Sequence, residues 1–185
     1  MAWTTPLTAV ANAALTAAQW NASVRDNLNE TAVAKFTAAG QYFVATARNA
    51  GAARSAAQDF YATGTGTDTT NSTTFTGLTG GPVVAVTTGT SALVMLWARM
   101  FNNTAGGRNV AGFAVSGATT IAATDLRSIA ETSNSANEEY WVGATFLLNA
   151  TTAALTAGSN TFTMQLRVTT GTGTFAPRNL VVMPF

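Results

Sequence analysis

A mainly β protein, an eight-stranded jelly-roll-like β-sandwich preceded by one N-terminal α-helix and a short β-hairpin, is the architecture this sequence predicts. Three observations lead there. Beyond residue 72, runs of β-branched and aromatic residues alternate with Gly, Asn and Thr turns, the pattern of short sandwich strands. Ahead of them lies a single capped helical segment. Hydrophobic residues make up 47% of the 185 residues, enough for a core, while only 9% are charged. An ordinary soluble domain carries about 25%. Threonine fills the gap, because a β-branched hydroxyl residue keeps an exposed strand polar without charge.

The helix is expected over about residues 16–35. Thr16-Ala-Ala-Gln19 has the form of a capping box, in which hydroxyl and side-chain amide each satisfy a main-chain N–H. Trp20, Val24 and Leu28 follow at i, i+4 and i+8, one narrow apolar stripe. Isolated helices of this length are marginal in water, so the stripe must pack on something. Lys35, the single lysine, ends the segment where the helix dipole favours a cation. A hairpin is expected over about 41–54, with Tyr42-Phe43-Val44-Ala45-Thr46 turning around Arg48–Gly51. The Thr/Gly-rich stretch 62–71 reads as a boundary or flexible connection. The chain therefore divides into an N-terminal anchoring segment, 1–61, and a β-sandwich domain, 62–185.

The eight strands are expected at 73–78, 83–87, 92–102, 110–115, 127–131, 139–148, 160–169 and 178–185. Phe162, Met164, Leu166 and Val168 alternate with Thr161, Thr163, Gln165, Arg167 and Thr169, so that strand has one buried and one wet face. Leu93, Met95, Trp97 and Phe101 alternate instead with Val94, Leu96, Ala98 and Met100. A strand apolar on both faces needs a second cover beyond the sandwich core. Val181-Val-Met-Pro-Phe185 makes the same demand. Oligomerisation answers it, and a trimer is the expected state.

Composition excludes several chemistries. There are no cysteines and no histidines, which removes disulfides, zinc fingers and Ser-His-Asp or Cys-His catalysis. A net charge of +1 without basic clusters leaves no electrostatic footprint for nucleic acid. No apolar run approaches the ~20 residues of a membrane span, and the first residues lack a signal peptide's charged and apolar regions. Synthesis in a cytoplasm without export follows as an expectation. Gly64-Thr-Gly66 and Gly171-Thr-Gly173 lack the remainder of any phosphate-binding motif and read as linker and turn.

Asp125, Glu131, Glu138 and Glu139 are the acids of the β domain that lie close in sequence. Carboxylate pairs serve glycoside hydrolysis or calcium binding. Neighbouring Glu138 and Glu139 on a strand point to opposite faces, so a solvated turn is the better account. No catalytic, cofactor or metal residue is assigned, and the chain is expected not to be an enzyme. Tyr140 and Trp141, with Trp97, are candidates for stacking on a sugar. As neighbours on a strand, only one of Tyr140 and Trp141 can face the core.

The opening pattern is also familiar. Trp3 and Pro6, then Leu15-Thr-Ala-Ala-Gln-Trp-Asn and Val24-Arg-Asp-Asn-Leu28, resemble the start of many virion proteins of tailed bacteriophages, of the kind found in phages of actinobacteria. Thr37-Ala-Ala-Gly-Gln-Tyr-Phe-Val-Ala-Thr46 is similar to their short β unit. Thr73-Thr-Phe-Thr76, Gly81 to Leu93, Phe113 to Thr120 and Leu155 to Val168 are similar to their C-terminal domain. The resemblance implies a minor tail, fibre or capsid decoration protein on the virion surface, made in the host cytoplasm. It further implies other virion proteins, of capsid or tail, as partners. Trp3, Trp20, Val24 and Leu28 would dock the chain, and Leu93, Met95 and Trp97 would join copies into a trimer. The rival expectations are a tail-fibre module binding host-surface glycans through Tyr140 and Trp141 and, more distantly, a glycan depolymerase.

Overall fold

The computed structural model describes residues 5, 7–8, 12–48, 50–64 and 66–185. Trp3 and Pro6 lie outside the described residues. Two compact units emerge, Met1–Ser55 together with Phe185, and Ala56–Pro184.

In the first unit, Thr16 opens the helix as its sequence requires. The Gln19 N–H donates to Thr16 Oγ1 at 3.2 Å, and the Thr16 N–H donates to Gln19 Oε1 at 2.9 Å. The helical path runs through α1 (Ala17–Trp20), a π-helical turn (Asn21–Arg25) and α2 (Asp26–Leu28). The single helix expected to residue 35 is instead broken at Asn29–Thr31. Thr31 adopts an extended conformation, and its hydroxyl both donates to Leu28 O at 2.8 Å and accepts from the Ala34 N–H. One side chain thus closes the first helix and caps α3 (Ala32–Lys35), the competition with regular helix that threonine favours. Lys35 pairs with the buried Glu30 at 3.0 Å and holds that carboxyl below its usual range.

The hairpin forms as expected from β1 (Tyr42–Ala47) and β2 (Ala50–Arg54). The Phe43 ring lies over Gly51, where a Cβ would stand 2.0 Å from Phe43 Cζ. Glycine is required there to admit the ring.

The second unit is a sandwich built from β3 (Ala57–Tyr61), β4 (Thr69–Thr70), β5 (Val83–Thr88), β6 (Ala92–Asn102), β7 (Arg108–Gly117), β8 (Ser128–Thr132), β9 (Tyr140–Leu148), β10 (Gly158–Val168) and β11 (Gly173–Pro184). One sheet has the order β3-β11-β6-β9, with β4 also on β11; the other has β5-β10-β7-β8. Setting aside the two-residue β4 and numbering along the unit, these orders become 1-8-3-6 and 2-7-4-5. The strand pairings among the described residues are antiparallel, and the two sheets interlock as a jelly roll.

With β4 set aside, the described residues of this unit form the eight strands expected, but the first of them is Ala57–Tyr61 and not 73–78. Residues 73–78 contribute one bridge, Thr76 to Leu166, along the β10 edge. The leading strand is β3, which pairs with β11 from Tyr61↔Arg178 to Ala57↔Val182. That pairing moves the start of the sandwich from residue 62 to Ala56. It also places 62–71 inside the unit, where main-chain hydrogen bonds tie it to Thr79 and Phe175.

Phe113, Phe146 and Phe162 meet at the centre of the core, with ring centroids 5.9 and 6.2 Å from that of Phe113. Val94, Leu96, Met100, Leu180 and Val182, on the same sheet as Phe146 and all buried, face Phe113 and Phe162 of the other sheet. The wet face expected of β10 is present, with Phe162, Met164 and Leu166 buried and Thr161, Thr163 and Gln165 outward.

Candidate functional site

The doubly apolar character of β6 is realised in three dimensions. Val94, Leu96, Ala98 and Met100 fill the core, while Leu93, Met95 and Trp97 stand half-buried on the outer face. Strand register sets what lies beside them. Leu93 is flanked by Met183 and Leu147, Met95 by Val181 and Thr145, and Trp97 by Asn179 and Gly143. Phe60 extends the Trp97 row across Asn179. The outer face of the β3-β11-β6-β9 sheet is therefore largely apolar, interrupted by Asn179, Thr145 and Gln58, where solvent normally meets polar side chains.

An aromatic row crosses this face. Phe60 and Trp97 have ring centroids 5.9 Å apart, and Trp97 and Trp141 5.6 Å, both pairs tilted. Trp141 remains 65% exposed and Phe60 50%. Trp97, Trp141, Val142 and Gly143 line a shallow depression beside the row. Charge enters at one end only, where Arg99 meets Glu139 at 3.7 Å.

Tyr140 and Trp141 separate as alternation demands. Trp141 points outward, whereas the Tyr140 hydroxyl accepts from Asn134 Nδ2 at 3.2 Å. Tyr140 also hydrogen-bonds Glu138, which holds the Glu138 carboxyl below its usual range and pushes the Tyr140 phenol up. Glu138 further accepts the Asn134 N–H at 3.1 Å, so it serves as the cap of a turn. The sugar-stacking pair named from sequence is thus not one surface; Trp141 belongs with Trp97 and Phe60.

The acids are dispersed in the same way, each with its own partner. Asp125 forms a two-pronged salt bridge with Arg167, its oxygens 2.8 and 2.6 Å from Nη2. Glu131 is buried, accepting from Asn109 Nδ2 and Ser133 Oγ, and burial pushes its carboxyl up. Among the described residues, no cluster of three or more acids gathers that could hold a metal ion. No helix among them is long and apolar enough to cross a membrane.

In the N-terminal unit, Trp20 and Leu28 are 54% and 60% exposed, and Val24 is half-buried. The π-helical turn between Trp20 and Leu28 disturbs the straight stripe expected from a 3.6-residue period. Trp20 and Val24 instead line a groove of about 330 Å³ with Leu7, Leu15 and Ser23. The Ser23 hydroxyl accepts the Leu7 N–H at 3.1 Å, holding Leu7 beside the helix.

Phe60, Gly143 and Leu147 were not singled out in the sequence. Phe60 was missed with its strand, whose adjacent Phe60 and Tyr61 are its one β signal. Leu147 lay on a recognised strand, but its role depends on being opposite Leu93.

These features define a jelly-roll β-sandwich with an apolar outer sheet face, joined to a small helix-and-hairpin unit. No protein-family model and no curated protein matches the sequence. Solved structures similar in fold include the Eiger TNF of S. frugiperda, with 13% identity over 70% of this chain and 92% of that one, TM-score 0.43. The CBM35 of Cellvibrio japonicus Abf62 is similar at 18% identity over 70% and 93%, TM-score 0.35. An infectious bursal disease virus (Gx strain) chain is similar at 10% identity over 76% and 36%, TM-score 0.41. The likeness is one of β architecture alone.

Proposed function

We propose that this chain is a non-enzymatic structural protein of a tailed-phage particle, a decoration or short-fibre component that assembles as a trimer. The N-terminal unit docks it through Trp20, Val24 and Leu28, with Trp3 as a further contact, and the sandwich faces outward on the virion surface. The observation that carries this reading is the apolar outer face of the β3-β11-β6-β9 sheet. Strands spaced ~4.8 Å apart and rising ~3.4 Å per residue give that face a projected area of roughly 500 Å² over Leu93–Phe101. Most of that area is apolar, with Gln58, Asn179, Thr145 and Arg99 interrupting it, and it is about six-tenths of the ~800 Å² that each partner of a stable complex covers. Leu93, Met95, Trp97, Val181 and Met183 supply apolar anchors there, and nearly all charge is absent.

Sedimentation equilibrium tests the assembly: a trimer mass is expected, and a stable monomer at micromolar concentration removes it. Copy number and position on the particle test the location. Many copies at capsid symmetry positions are expected, and a location only on the tail overturns the decoration role.

A second reading rests on Trp141, the most exposed ring of the aromatic row. It would stack on a host-surface glycan in the depression beside Trp97 and Gly143. Glycan-array binding lost in Trp141→Ala, with the fold intact, would favour it. The depolymerase reading has less support, since the acids sit apart on separate structural partners.

A further inference from the structure

Arg178 faces inward on β11 and is fully buried. Its register partner on β3 is Tyr61, and the guanidinium carbon lies 3.7 Å from the Tyr61 ring centroid. Its hydrogen bonds go to main-chain carbonyls, from Nη1 to Phe175 O and from Nη2 to Thr67 O, while Nε is buried without a partner. A buried cation without a counter-charge is strongly disfavoured, and stacking on a ring compensates only in part.

The Tyr61 hydroxyl leads from this cation to a carboxylate. It donates to Asp68 Oδ1 and accepts the Gly66 N–H at 2.9 Å. The Asp68 carbonyl accepts the Phe175 N–H at 2.8 Å, and the Thr67 N–H donates to Thr79 O at 3.1 Å. Thr69 and Thr70 then pair with Thr174 and Gly173 of β11. Gly66 permits the close approach, since a Cβ there would stand 2.3 Å from Thr79 O. Every one of these bonds holds one short segment of low-complexity sequence against the sandwich.

We propose that residues 66–70 form a latched strap along the β11 edge, in which Asp68 is the counter-charge of Arg178, acting through the Tyr61 hydroxyl. The phenol's donation to a carboxylate enriches the ring on which the guanidinium stacks, so strap and cation stabilise each other. Closing the strap completes the environment of Arg178; opening it leaves a buried charge without its carboxylate.

Amide hydrogen exchange on the full chain tests this, read at Gly66, Thr67 and Phe175 with Val115 as a core control. Asp68→Asn keeps an oxygen to accept the Tyr61 hydroxyl but removes the charge. Tyr61→Phe keeps the ring but removes the hydroxyl. Both variants are expected to speed exchange at the three strap amides by roughly tenfold, with Val115 unchanged. If only Tyr61→Phe opens the strap, a neutral hydrogen bond suffices and the counter-charge role is overturned. Unchanged exchange in both variants, or equal acceleration at Val115, overturns the latch itself.

Discussion

Trp97 and Gly143 face each other across the β6–β9 pair, and a Cβ on Gly143 would stand 3.1 Å from the Trp97 Cβ. The missing side chain gives the indole room to lie between Phe60 and Trp141, producing one continuous aromatic row in place of isolated exposed rings. Contiguous apolar surface marks a place where something else is meant to sit.

Met95 stands beside Trp97 on that face, clear of the core. Met95→Lys is expected to abolish self-association while leaving the secondary structure of the protomer intact, since Met95 stands outside the core. Sedimentation equilibrium and circular dichroism measure the two effects. An unchanged mass would place the oligomer contact elsewhere.

Phe113 joins Phe146 and Phe162 at the centre of the core. Phe113→Ala is expected to cost about 3–5 kcal/mol in denaturant unfolding, the sum of lost transfer energy and the cavity left behind. A cost below 1 kcal/mol would mean that the sheets close over the space.

Asp125 and Glu131 give pH dependences of opposite sign. Arg167 holds the Asp125 carboxyl below its usual range, so its stabilisation is present above the unfolded-state pKa and is lost as pH falls through the folded value. Burial pushes the Glu131 carboxyl up, so a penalty absent below the unfolded-state pKa grows as pH rises towards the folded value and stays above it. Urea unfolding as a function of pH is expected to show Asp125→Asn flattening the acid limb below the usual carboxylate range. Glu131→Gln is expected to flatten the decline above that range and to stabilise the protein at neutral pH.

Gly51 carries the Phe43 ring on the hairpin. Gly51→Val is expected to expel the ring and destabilise the hairpin by about 1–3 kcal/mol, the usual consequence of overpacking. Proton NMR would show it as loss of the ring-current shifts at residue 51 and faster exchange across β1 and β2.

Local patterns were legible where the signal was local. Thr16 and Gln19 announce their capping box, and the 92–102 strand has the bounds expected of it, since its apolar run is closed at both ends by Gly, Ser, Thr and Asn turn residues. Thr31 shows the limit of such reading. Its hydroxyl can serve a helix interior or a cap, and the choice made at Leu28 O divides the helix in two.

The sequence by itself determined the class of the fold, because period-two alternation and turn chemistry act over a few residues. It also determined that β6 would need cover on both faces. Only the tertiary structure decided which strand leads the jelly roll and what lies beside Trp97. Ala57–Tyr61 is short, weakly patterned and held by β11, more than a hundred residues away, so its pairing could not be read locally. The same long-range register brings Phe60 to Trp97 and Tyr61 to Arg178, making a surface of one face and a latched core of the other.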